Sequence, residues 1–375
     1  MIRKIALSFL TAAAVFGAAA AVSGANAEEI FTRKGAVPEV GSGDTAKSAD
    51  VINPGAGLTA GAMMAPASAA PDAREKLVEG LSGLKHSRGG KDTVIDLAPR
   101  LKMMLRARGN VSPVRPFKGG GGKLVQIANT KVSPYASMGM IMSGCSGALV
   151  MKRYVITAPW CVYDTKGKKF FDNLDFIPAL NGNDAPVGTI KWKNVWIPKG
   201  FQDTGDLAYA FALIELEKDI GDQVGYFGFG PVKGSDNLKQ LTLTGYPFAG
   251  VPKNTLWEAN CSIDTNQQNA YFYHCPGDGK TLYSMLGAPF FAKGAKEGEA
   301  GQLLGIHISS QDDKQDSWWA MKLGDATTQT ILSWANGGNA PPEPPQPDDT
   351  KTTTDQGGGD GGGNPQCTCD QTGNN

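Results

Sequence analysis

The stretch "SGALVMKRYVITAPWCVYD", residues 146–164, decides how the rest of the chain is read. Two runs rich in Val, Ile, Leu and Ala, "SGALVMK" and "YVITA", follow one another across Arg153, the pattern of short strands. They lead into Ala158-Pro159-Trp160-Cys161, where a large indole stands directly before a cysteine. What Trp160 does at that place governs the functional reading.

The same rhythm continues outward. Between about Leu124 and Ala335, apolar runs recur among Gly, Pro, Asn and Asp: "LVQIANT", "ASMGMIM", "VGTIKWKNVWI", "AFALIEL", "LKQLTLTGYP", "TLWEANCSID", "GAPFFAK" and "QLLGIHISS". Short strands with frequent turn residues predict an antiparallel all-β domain, a barrel or sandwich, over 123–335. "DATTQTILSWA" predicts a closing helix. "KWKNVWIPKG" reads as a half-exposed strand with Trp192 and Trp196 on one face by period two.

The flanks differ in character. Residues 1–27 carry Arg3 and Lys4, an apolar run, and the small-residue site Ala25-Asn26-Ala27, the pattern of a cleaved export signal. Residues 28–122 are a low-complexity, pro-like segment, with stretches such as "GSGDTAKSAD" too small and polar to build a core. Two short helices are predicted inside it. One is capped by Asp72 and carries Leu77, Leu81 and Leu84; the other is capped by Asp96, carries Leu97, Leu101, Met104 and Leu105, and ends at Gly109. Residues 336–375 form a Pro- then Gly-rich tail whose composition predicts disorder.

Composition narrows the function classes. Lys+Arg and Asp+Glu are both 36, and this zero formal charge argues against nucleic acid or an anionic membrane as main partner. No later run of 18 or more apolar residues predicts a membrane span. Six cysteines in an exported chain favour disulfides. No His/Cys cluster has metal-ligand spacing, and no cofactor motif is present; "GGGG" at 119–122 lacks the Lys-Ser/Thr of a phosphate loop.

Taken in order, the blocks resemble the trypsin-like serine peptidases, and among them the bacterial glutamyl-endopeptidase-like branch. "QIANTKVSPYASMGMI" resembles that branch's first strand, and "CSGALVMKRYVITAPWCVYD" its histidine block. "YAFALIEL" is similar to its aspartate strand, "LTLTGYP" to its Gly-Tyr-Pro turn, "YFYHCPGDGKTLYSMLGAPFF" to its serine block, and "GQLLGIHISS" to its Gly-Ile-His strand. The resemblance implies an all-β fold of two six-stranded antiparallel barrels with a C-terminal helix. It also implies bridges Cys145–Cys161 and Cys261–Cys275. Loops of this size are worth ~3 kcal/mol each in the chain-entropy account.

The same resemblance sets Trp160 at the family's general base, Ala210 at its orienting aspartate and Leu286 at its nucleophile. Triad chemistry needs a hydroxyl, an imidazole to take its proton and a buried carboxylate to hold the imidazole. None of the three groups is present. The losses are mutually consistent, because a buried carboxylate without its imidazole is an uncompensated charge. An indole can instead fill the cleft, so Trp160 reads as a plug. Ser284 stands where the family has a glycine, which puts the oxyanion hole in doubt.

His307 falls on the strand lining the family's specificity pocket, where a histidine meets a substrate carboxylate, and is a candidate binding residue. Ser284 paired with His274 or His307 is the candidate relocated site, and Asp206 is the rival for the aspartate position. The expected function is that of a secreted or periplasmic pseudoprotease that binds protein or peptide without cutting it. The alternatives are an active endopeptidase with relocated residues, and an extracellular structural protein working through its tail cysteines. For Cys367 and Cys369, an intermolecular disulfide, a free thiol pair and a weak metal contact are all open.

Overall fold

The computed structural model describes residues 71–108, 122–231, 241–266, 269–293, 301–310 and 317–339. The expected export signal at 1–27, residues 28–70 and the tail with Cys367 and Cys369 lie outside the described residues.

The described chain begins with helix α1 (Pro71–Gly80), strands β1 (Gly83–Ser87) and β2 (Asp92–Ile95), and helix α2 (Pro99–Arg108). A short β3 (Val125–Gln126) follows. Next come β4 (Met138–Ile141), β5 (Cys145–Met151), β6 (Tyr154–Thr157), the small β7 (Tyr163–Asp164) and β8 (Lys169–Phe170), and β9 (Phe176–Pro178). After them lie β10 (Trp192–Pro198), α3 (Lys199–Thr204), β11 (Ala212–Leu216), α4 (Gly221–Val224) and β12 (Gly228–Phe229).

Six of these strands make a barrel in the order β9-β4-β5-β6-β11-β10. It closes where Phe176 and Ile190 exchange backbone hydrogen bonds of 2.9 and 2.8 Å. Gly139 is required on β4 because the Phe176 ring lies over it; a methyl group there would stand 2.5 Å from the ring. Val155, Ile214 and Val195 are neighbours across β6, β11 and β10 and are fully buried.

The second barrel contains β13 (Leu241–Gly245), β14 (Trp257–Asn266), β15 (Ala270–His274), β16 (Pro289–Ala292), β17 (Gln302–Ser310) and β18 (Trp318–Lys322). Helix α5 (Gly279–Tyr283) lies between β15 and β16, and α6 (Asp325–Ala335) ends the domain. The strand order is β16-β13-β14-β15-β18-β17, and β17 returns to β16 to close it. Its interior is a separate apolar cluster around Leu243, Ile263, Tyr273, Phe290 and Trp318.

Two arms cross between the barrels. β3 precedes the first barrel in sequence yet pairs with β14 of the second. α6 follows the second barrel yet packs on the first, where Trp334 stacks on Phe211 at 5.3 Å and the Tyr154 hydroxyl donates to the Ala335 carbonyl at 3.1 Å. Every apolar run singled out in the sequence carries one of these strands, and the closing helix has the expected bounds.

The N-terminal segment differs from its sequence reading. Residues 71–108 are built into the first barrel: β1 pairs along β10 from Gly83↔Pro198 to Ser87↔Asn194, and β2 pairs with β1. Leu84, read as helical, lies in β1, because α1 stops at Gly80, where the Tyr209 ring leaves no room for a side chain. Trp192 and Trp196 also depart from the one-face reading. A bulge between Trp192 and Asn194 shifts the register, so Trp192 sits opposite Leu216 and Trp196 opposite Leu213, on opposite faces. Both indoles are buried, and β10 is exposed only at Lys193.

Candidate active-site cleft

Three separate segments meet at the end of β6. Pro159 opens a single turn of 3-10 helix, Pro159–Cys161, that carries Trp160. Cys161 is bridged to Cys145 on β5 with Cα atoms 5.7 Å apart, so this turn is anchored to the barrel wall. Trp160 is 5% exposed, and its ring meets Phe201 of α3 edge-on, with centroids 4.9 Å apart and planes at 86°.

Ala210 reaches the same place through β11. It follows the turn Leu207–Tyr209, is fully buried, and stands two residues before Ala212, which pairs with Thr157 of β6. Asp206 caps this turn by accepting the Ala208 N–H at 2.8 Å. Its carboxylate is therefore committed to a backbone amide, the ordinary use of an Asp at such a position.

Leu286 arrives from the second barrel. Its carbonyl accepts the Ser146 N–H at 2.9 Å, and the side chain is 1% exposed. Gly287 beside it has φ +78, and a methyl group there would lie 2.2 Å from Thr157 Oγ1 and 3.2 Å from Cys161 Sγ. Glycine is required on both counts. Thr157 and Cys161 are thus the common support of positions 160, 210 and 286. The side chains at these positions are an indole, a methyl and an isobutyl, which offer no nucleophile, base or carboxylate.

Helix α5 changes the neighbouring backbone. Asp278 caps it, accepting the N–H groups of Lys280 at 3.2 Å and Thr281 at 3.0 Å and pairing with the Thr281 hydroxyl. That hydroxyl, with the amides behind it, holds the Asp278 carboxyl below the usual carboxylate range. Ser284 ends the helix, and its N–H donates to the carbonyls of Lys280 at 3.2 Å and Thr281 at 3.1 Å. An oxyanion hole needs amides aimed at the developing charge. The Ser284 amide is already taken by the helix. This helix was not foreseen; Asp278 followed by Gly-Lys-Thr-Leu is the capping signal in the sequence that marks it.

The relocated pairing has no geometric footing. Ser284 is 1% exposed; its hydroxyl donates to the Thr281 carbonyl at 2.7 Å and contacts Ala249 N and O at 3.3 Å. His274 instead pairs with Asp264, and His86 with Asp92 at 2.7 Å.

His307 is fully enclosed. Its Nδ1 stands 2.5 Å from the Tyr273 hydroxyl, and Trp318 lies 5.5 Å away ring to ring. Nε2 makes no well-formed hydrogen bond. Burial pushes the imidazole down to about 3, against a weak opposing contribution from the Leu282 backbone, so the ring is neutral at ordinary pH. As placed, it presents neither a charge nor an open face to a carboxylate. The second bridge, Cys261–Cys275, ties β14 to the end of β15, with Cα atoms 4.3 Å apart. Among the described residues no group of three or more His, Cys, Asp and Glu could hold a metal ion.

No family model matches the chain. A stretch of 131 residues is 33% identical to a glutamyl endopeptidase of Bacillus licheniformis, covering 34% of this chain and 41% of the relative. A stretch of 198 residues is 24% identical to an extracellular metalloprotease of Bacillus subtilis, covering 52% of this chain and 58% of the relative. The chain thus spans about half the length of the curated relatives it matches. A solved Glu endopeptidase in complex with MPD is 22% identical with a TM-score of 0.46, over 58% of this chain and 97% of that one. The chain thus folds into two closed six-stranded antiparallel barrels joined by crossing arms, and one stretch of it is similar to a glutamyl endopeptidase.

Proposed function

We propose that the chain is an exported, non-catalytic homologue of the serine peptidases that binds protein or peptide partners. One observation supports the reading: the positions that the resemblance sets at nucleophile, general base and aspartate hold Leu286, Trp160 and Ala210, all buried and none able to do that chemistry. Nothing there can form an acyl-enzyme, since covalent catalysis needs an activated nucleophile and a base within reach of it. The Ser284 amide, held inside α5, supports the same reading.

Binding is what such a scaffold retains. Loops between barrel strands remain available for recognition whether or not a triad exists. The enclosed, neutral His307 argues that recognition does not run through a buried substrate carboxylate. The two bridges fit an oxidising compartment outside the cytoplasm.

The test is a peptide panel that includes Glu and Asp before the scissile bond, run beside a pull-down of the mature protein from its own periplasm or culture medium. Retention of a defined partner, uncut, is the expected result. Turnover that co-purifies with the chain through successive columns would contradict the proposal.

A further inference from the structure

We infer that residues 71–108 are a permanent clamp on the first barrel, holding shut the wall behind Trp160 and Ala210, and not a segment discarded on maturation. The inference stands apart from the question of catalysis, because it concerns which residues stay with the folded chain.

The clamp grips at three levels. Along the backbone, β1 adds to β10 over five paired residues, extended at each end by Lys199 N–H to the Ser82 carbonyl at 2.7 Å and Arg88 N–H to the Lys193 carbonyl at 2.9 Å. In the core, Val78, Leu81, Leu84, Leu97, Leu101 and Leu105 are each at most 5% exposed and belong to the same apolar cluster as the barrel interior. Baring six such side chains at once is a severe loss for one domain. On the polar side, the Ser87 hydroxyl donates to Asn194 Oδ1 at 2.7 Å, and Asn194 donates to the buried Glu215 at 2.5 Å. Removing Ser87 leaves part of that chain unsatisfied.

The grip is applied at the cleft wall. The Tyr209 hydroxyl donates to the Lys76 carbonyl of α1 at 3.0 Å. Its ring is flanked by two glycines: a methyl group on Gly80 would lie 2.3 Å from the hydroxyl, and one on Gly200 would lie 2.5 Å from the ring. Tyr209 immediately precedes Ala210, and Gly200 immediately precedes Phe201, the ring against Trp160. Gly83 gives the clamp a second hold, since a methyl group there would lie 2.7 Å from Trp334 Nε1 of α6. Without α1, the Tyr209 hydroxyl loses its acceptor and the segment 199–211 loses its outer support.

Two measurements test this on the exported, full-length chain. N-terminal sequencing and intact mass of the mature protein should place its first residue at or before Pro71; a first residue after Gly80 would remove α1 and overturn the clamp. A mature chain beginning after Arg108 and unfolding cooperatively at the same temperature would overturn the clamp while leaving the missing triad untouched. Hydrogen exchange of Tyr209→Phe should show amides of 199–211 exchanging roughly threefold to tenfold faster, the scale of one lost hydrogen bond, with 138–151 unchanged. Gly80→Val should act in the same direction more strongly. If Gly80→Val does not fold, Tyr209→Phe still decides: unaltered exchange over 199–211 would refute the wall as the point of grip.

Discussion

Replacing Trp160 by alanine asks whether the indole is the plug that the arrangement implies. The side chain is 5% exposed, so nearly all of its surface is withdrawn from water. An indole buries ~150–250 Å², which at about 25 cal/mol per Å² gives an upper bound of ~4–6 kcal/mol. The edge-on pair with Phe201 adds about 0.5–1.5 kcal/mol to such burial. Relaxation of α3 into the vacated space recovers some of it. A cost of ~3–5 kcal/mol is therefore expected, the usual range for emptying a large aromatic site. For a domain of this size each kcal/mol lowers Tm by about 2–4 °C, so a fall of roughly 6–20 °C is expected. Calorimetry of the purified exported protein, beside its binding to any captured partner, reads both consequences. Unchanged Tm with binding lost would refute the plug and make Trp160 an interface anchor, as exposed aromatic hot spots are.

Other outcomes follow from the same geometry. His307 is held neutral, with burial pushing it to about 3, while the unfolded chain takes up this proton below about 6.5. Stability from this residue is thus full above pH 6.5 and falls as pH drops toward 3, by roughly 4–5 kcal/mol in all; denaturant titrations of wild type and His307→Gln should differ in slope inside that window and not above it. Ser284→Ala should leave peptide turnover at background and cost ~1 kcal/mol, the scale of its buried hydroxyl bond; loss of a measurable turnover would revive the relocated site. Non-reducing peptide mapping of exported material should return Cys145–Cys161 and Cys261–Cys275, and crossed or free pairs would count against the arrangement.

Much of the fold was legible because its signals are local. Apolar runs of five to eleven residues between turn residues mark most strands of both barrels, though not β9, β15 or β18, and a run ending in Ser333-Trp334-Ala335 gives α6. The assignment of Trp160, Ala210 and Leu286 to the triad positions came from the order of motif blocks, since nothing local connects residues so far apart. What escaped depends on long-range contact. Residue 80 must be glycine because Tyr209 packs on it and bonds Lys76 across 133 positions, and no short-range pattern carries that contact. Leu84 in "GLKHS", residues 83–87, fits the helical spacing of Leu77 and Leu81 but lies in a strand once β10 supplies an edge. The bulge that turns Trp192 and Trp196 to opposite faces is likewise set by pairing with β11, not by the sequence of β10.

The central claim, that no hydrolytic centre exists where the triad would be, is tested most directly by a fluorophosphonate probe on the exported protein. The measurement is intact mass after prolonged exposure, with a glutamyl endopeptidase as positive control. With Leu286, Trp160 and Ala210 filling the site and the Ser284 amide held in α5, the mass should stay unchanged while the control gains one adduct. A stoichiometric adduct on any serine of the native chain, absent when the chain is unfolded before exposure to the probe, would contradict the account.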